Sequence, residues 1–213
     1  MDFSRVGIMG HSRGGQGVGH VTNYQRAAGN RGDEGDFNAP QNLIAVFSLA
    51  PTDFDEITVT DTTFVTLLPY CDGDVSNLQG ARTFDNSRYA AGQSGTLLQV
   101  LTDGSNHNDY NTIWTSDDYS NDDAHCNRDT EGNGRLTREE VRRHGEFLMN
   151  SFFRLFVGGE TQFQPYWEGK HHLPASACPL DENGNAITPC DTVARLSILA
   201  KPENRLVIDI GGG

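Results

Sequence analysis

The chain has no apolar run approaching 18 residues, which excludes a spanning helix. It is short of positive charge: 16 Lys and Arg stand against 29 Asp and Glu, a formal net charge of −13, and this argues against nucleic acid as a partner because phosphate binding needs clustered bases. None of the four cysteines lies in C-x-x-C spacing, so a zinc ribbon or a thioredoxin-like redox motif is disfavoured. The opening MDFSRVGIMG has neither a basic lead nor an apolar stretch before a cleavage site, so no export signal is visible there. No internal repeat or low-complexity tract interrupts the chain. What remains, 213 residues with 36% apolar and 21% charged side chains and 24 glycines, suits a loop-rich globular protein.

Four short apolar runs, residues 3–9, 43–49, 63–68 and 96–101, are each bounded by turn residues. Their hydrophobicity is continuous rather than alternating, which predicts strands buried on both faces of a parallel sheet. Helices are predicted over 18–28 and 77–91. From Thr137 the period changes: Val141, Leu148, Phe152, Leu155 and Phe156 fall at helical spacing, Thr137 with Glu140 forms a capping box, and Gly158 and Gly159 end the helix. Two further strands are expected over 193–199 and 205–210, read as the start of a separate β-rich piece. The implied division is a core over 1–159 and a loop-rich extension over 160–213.

Within the extension, Cys178 and Cys190 bracket a polar segment with Pro and Asn-Gly turn signals, which suits a short disulfide-closed loop in an oxidising compartment. Cys71 and Cys126 are then left to pair with each other, the alternative being buried free thiols.

The chemistry is concentrated in RVGIMGHSRGGQGV. Gly10, Ser12 and Gly14 satisfy G-x-S-x-G immediately after a predicted strand and before a predicted helix. A strand-to-helix turn of that tightness strains the central residue and requires small neighbours at Gly10 and Gly14. It presents the Ser12 hydroxyl at a helix N-terminus, where the Arg13 N–H can stabilise an oxyanion. The competing reading is a nucleotide-binding glycine loop, but the segment matches neither G-x-G-x-x-G with an acidic partner nor the phosphate-binding loop with its lysine.

A serine needs a base, and the base an orienting acid. The loop after the third run carries Asp72 and Asp74, and the loop after the fourth carries His107. With the elbow, this order of Ser, acid and His resembles the α/β-hydrolase family, in its lipase and esterase branch, including secreted polyester-type and dienelactone-type members; the resemblance covers about residues 3–159. It implies a partial α/β-hydrolase fold, a parallel sheet flanked by helices with a small disulfide-bearing β-rich C-terminal extension. It also implies a serine hydrolase for carboxylic esters: Ser12 the nucleophile, His107 the base, Asp72 before Val75 the acid with Asp74 as alternative, and Arg13 an oxyanion donor. The glycine that the family places three residues before the acid is Pro69 here. His11, common in esterase elbows, is expected to pack under the turn. Relative to the family the N-terminal strands, which would donate a second oxyanion N–H, are missing, so this chain by itself is expected to be a poor enzyme.

The implied substrate is a small or polymeric ester, with no cofactor, and the implied location is secreted or periplasmic. The alternatives are a non-catalytic module on the same scaffold, or a peptidase or thioesterase with the same triad. No metal is assigned. A calcium-like register nevertheless runs through Asp129, Glu131, Asn133 and Glu140; the other account makes Gly134 a turn and Glu140 part of the helix cap.

Overall fold

The computed structural model describes residues 3–27, 42–114, 116–119, 123–127 and 134–200. Its centre is a mixed sheet of five strands: β1 (Val6–His11), β2 (Leu43–Leu49), β3 (Thr63–Pro69), β4 (Thr96–Thr102) and β5 (Ala194–Ala200), in spatial order β1-β2-β3-β4-β5. The first four are parallel, so their C-terminal ends, and the loops that leave them, share one edge of the sheet. The long helices are α1 (Arg13–Ala27), α2 (Gly80–Arg88) and α3 (Arg138–Phe156); a short α4 (Gln164–Trp167) follows.

The continuous apolar runs are explained by the two faces they serve. Val46, Phe64 and Leu97 point into a core shared with Phe84 of α2 and, at its margin, Val18 of α1. Their sequence neighbours Phe47, Val65 and Leu98 point the other way, into a core with Val141, Leu148 and Phe152 of α3. A strand between two helical layers buries both sets of its alternating side chains. The Phe152 ring meets Phe47 edge-on at 5.4 Å and Trp167 at 5.5 Å, and Trp167 Nε1 donates to Ser151 Oγ at 3.1 Å, which docks α4 on α3.

Four sequence expectations are revised. The sheet is not wholly parallel, because β5 runs antiparallel to β4, with Leu97 opposite Leu199 and Thr102 opposite Ala194. Nor does that strand open a separate β-rich piece: Ala194, Leu196 and Ile198 join the α3 core. The segment 205–210 lies outside the described residues. The first helix begins at Arg13, not at residue 18. Its run of glycines has low intrinsic propensity, yet Gly15 seats the helix against the sheet, where a Cβ would come within 2.9 Å of Pro51 Cβ. The second helix is shorter than its predicted span, covering only 80–88.

The capping box forms as expected, with Glu140 N donating to Thr137 Oγ1 at 3.3 Å and Thr137 N donating to Glu140 Oε2 at 2.8 Å. The other Glu140 oxygen accepts from Leu180 N at 3.0 Å, so this residue serves the cap and ties the extension to α3. Asp129, Glu131 and Asn133 of the calcium-like register lie outside the described residues. No helix among the described residues is long and apolar enough to cross a membrane.

Both disulfides form, Cys71–Cys126 and Cys178–Cys190, with sequence separations of 55 and 12. Loop-closure entropy makes the longer one worth about 4 kcal/mol and the shorter about 3 kcal/mol. Replacing each pair by serine should therefore lower the denaturant midpoint in both variants, more for Cys71/Cys126; a larger effect at Cys178/Cys190 would contradict this ranking.

Candidate active site

Ser12 sits between the last residue of β1 and the first of α1, with φ of 60°. A serine adopts that left-handed conformation only when its surroundings hold it there. Ser12 N donates to Leu49 O at 2.9 Å at the end of β2, and Ser12 O accepts from Gln16 N at 3.2 Å and from Thr52 N at 3.3 Å. Arg13 is the first helical residue, so its N–H is one of those in the opening turn that lack an intrahelical acceptor.

The two glycines flanking the serine are not equivalent. A Cβ on Gly10 would lie 2.0 Å from the Gly14 carbonyl oxygen, whereas one on Gly14 would meet nothing within 4 Å. The expectation that both must be small is thus corrected at Gly14: the turn closes on the position two before the serine, with Gly14 supplying the backbone it closes on.

Asp72 and His107 come together from the loops after β3 and β4. His107 Nδ1 lies 2.9 Å from Asp72 Oδ2, with both side chains buried. Asp72 Oδ1 accepts from Val75 N at 2.5 Å and from Asp74 N at 3.0 Å, which closes a tight turn and leaves Oδ2 for the imidazole. The loops are stitched by Cys71 N donating to Ser105 O at 2.9 Å and Asn106 Nδ2 donating to Cys71 O at 3.3 Å. Of the two acids open in the sequence, Asp72 takes Nδ1. Asp74 lies on the other side of the ring, its Oδ2 3.5 Å from Nε2. Nε2 is buried and has no hydrogen bond, so Ser12 is not bonded to His107 in this state.

His11 links the Ser12 turn to His107. Its ring does not pack under the turn; it lies against His107 with centroids 4.4 Å apart, and its outer side meets Trp114 at 5.6 Å. Trp114, 53% exposed, and Ile113, 83% exposed, are pinned by their N–H groups to Asn111 Oδ1 at 2.7 and 2.9 Å. An exposed tryptophan against the His11 imidazole has no periodicity to mark it, and the sequence reading missed it. It also missed Arg135, a buried guanidinium 2.8 Å from Asp117 Oδ1, and Arg138, whose Nε lies 3.2 Å from Oδ1 of buried Asp109 two residues past the base. These pairs tether the His107 turn to the start of α3.

The histidines differ electrostatically. Burial, reinforced by the neighbouring His107, lowers His11 to about 4. His144, buried under the sheet with Nε2 3.2 Å from the Tyr110 hydroxyl, is also lowered to about 4 by burial. For His107 burial is opposed, and outweighed, by the hydrogen bond and charge of Asp72 with the charges of Asp74 and Asp118, so its pKa is raised. Such a site holds one protonatable imidazole against a fixed carboxylate and one that stays neutral. The serine at the helix N-terminus follows His11 directly in the chain, so a hydroxyl, a protonatable imidazole and a carboxylate converge on one edge of the sheet.

Two outcomes are expected. Gly10→Ala should be destabilised by about 1–3 kcal/mol through overpacking, whereas Gly14→Ala should be neutral or up to about 1 kcal/mol more stable; equal denaturation midpoints for the two would contradict the close approach. Below pH 6.5 the unfolded chain protonates its histidines while folded His144 stays neutral down to about 4, so its contribution is complete above 6.5 and lost as pH falls. The loss should be up to about 1.4 kcal/mol per pH unit, and His144→Gln should flatten the stability profile between pH 6.5 and 4 by about one proton. His107 contributes with the opposite sign, its share present below 6.5 and lost as pH rises through its raised value. The chain matches no protein-family model and no curated protein.

Proposed function

We propose that this chain is a serine hydrolase of the α/β-hydrolase type that cleaves carboxylic esters through an acyl-enzyme. The observation that carries the reading is Ser12 held at φ 60° on a strand-to-helix turn, at the sheet edge where a buried Asp72–His107 pair is presented. A left-handed serine without a function is a cost that a glycine at the same position would remove.

In this reading Ser12 Oγ attacks the ester carbonyl and His107 Nε2 takes its proton. The oxyanion that forms is met by the Arg13 N–H at the start of α1. Asp72 holds Nδ1–H, which fixes the tautomer and stabilises the imidazolium. The proton on Nε2 then passes to the leaving alkoxide, and a water repeats the sequence to release the acid. Contact between serine and base tightens on substrate binding in sites of this kind, which accords with the unbonded Nε2 of the resting state. The exposed Trp114, against the His11 ring that lies on His107, favours an ester with an apolar acyl or alkyl group. Thioesters and amides would use the same machinery. The two disulfides accord with secretion into an oxidising compartment.

A fluorophosphonate probe should label the protein at Ser12 and leave Ser12→Ala unlabelled, while p-nitrophenyl butyrate turnover falls by a thousandfold or more, on the order seen when a triad member is removed. Because the base acts only when neutral, labelling should rise with pH through the raised pKa of His107. Equal labelling of both proteins sinks the assignment.

A further inference from the structure

His107 meets a carboxylate at each ring nitrogen. On Nδ1 is Asp72, whose side chain is 1% exposed; near Nε2, at 3.5 Å, is Asp74, 63% exposed. Both come from one turn, since Asp74 N donates to Asp72 Oδ1 at 3.0 Å and this fold-back carries the second side chain over the outer edge of the imidazole. The turn itself is made by the Asp74 backbone, so changing that side chain leaves it intact.

We propose that Asp74 is a positioning residue: its carboxylate, 3.5 Å from Nε2 without a hydrogen bond to it, holds the charged imidazolium of His107 by electrostatic attraction in the resting protein, and that attraction has to lapse before Nε2 can take the proton of Ser12. In acid the imidazolium keeps both protons, one toward each carboxylate. As pH rises the Nε2 proton leaves to solvent, the attraction to Asp74 loses its positive partner, and Nε2 becomes an acceptor for the serine hydroxyl. Asp74 thereby sets the pH at which the site opens, and it does so from the solvent side, where salt screens it, whereas Asp72 is shielded.

The other groups facing the ring are His11 from the end of β1 and Asp118, whose Oδ2 accepts from Gly73 N at 2.9 Å. Neither changes charge in an Asp74 variant, and His11 stays neutral above about pH 4. A unit charge 3.5 Å from the imidazole in water-like surroundings is worth roughly one pH unit at most.

The contact is tested by NMR titration of His107, its resonances identified by their loss in His107→Gln, for wild type, Asp74→Asn and Asp74→Glu at low and at 1 M salt. Asp74→Asn should lower the midpoint by about half to one pH unit at low salt, Asp74→Glu should largely restore it, and 1 M salt should shrink the difference. The acid limb of fluorophosphonate labelling should move down by the same amount, a readout that a merely structural role would not shift. A midpoint unchanged in Asp74→Asn, or a shift that persists undiminished at 1 M salt, overturns the proposal. It rests on the hydrolase reading only for its kinetic half: absence of labelling in wild type at every pH would fail that reading, while the imidazole titration still decides the role of Asp74.

Discussion

An aspartate and a histidine buried side by side, 2.9 Å apart, are tolerated because both carboxylate oxygens of the aspartate find donors and the loops around them are cross-bonded. Asp72 spends one oxygen on two backbone N–H groups and the other on the imidazole. The loop that carries it is bonded to the histidine loop through Cys71 and Ser105, and the same Cys71 is cross-linked to Cys126. Behind the histidine, Asp109 and Asp117 are met by Arg138 and Arg135 at the entrance to α3. Without this lattice of partners the pair would lose its alignment, and the carboxylate would lose the means to hold the ring in one tautomer.

The sheet makes that lattice possible. Four parallel strands deliver the Ser12 turn, the Asp72 loop and the His107 loop to one edge, and α3 covers one face through Phe152 while α1 and α2 cover the other. The antiparallel β5 extends the same core past β4 and brings the Cys178–Cys190 loop beneath α3, where Glu140 and Arg143 bond its backbone. Ser12, in the turn after β1, is one of five non-glycine residues with positive φ among the described residues. There Gly10 allows the chain to close on Gly14, and the bond from Ser12 N to Leu49 O holds the serine in its left-handed state.

The electrostatic character of the site follows from burial meeting charge. Two imidazoles stacked 4.4 Å apart disfavour double protonation, so the proton goes to the ring that faces the carboxylates. His11 remains a neutral, flat wall between His107 and Trp114. The exposed Trp114 lies on the outer side of this pair of imidazoles, an apolar surface beside charged groups.

Local pattern determined much of this. Strands β2, β3 and β4 were legible because a strand covered on both faces is apolar at every position, and the start of α3 because a capping box is a short-range hydrogen-bond pattern written at positions 137 and 140. The strand-turn-helix around Ser12 was legible for the same reason, and so was the Cys178–Cys190 loop. Tertiary structure alone decided the rest: that Asp72 rather than Asp74 takes Nδ1, that His11 lies on His107, that Arg135 and Arg138 serve the base loop, that Gly10 and not Gly14 is sterically required, and that β5 closes the main sheet. The physical reason is range. Capping, burial periodicity and turn chemistry depend on residues a few positions apart, whereas Asp72 meets His107 across 35 positions and the His11–His107 and β4–β5 contacts span about 100, so only the packing of the sheet brings them together.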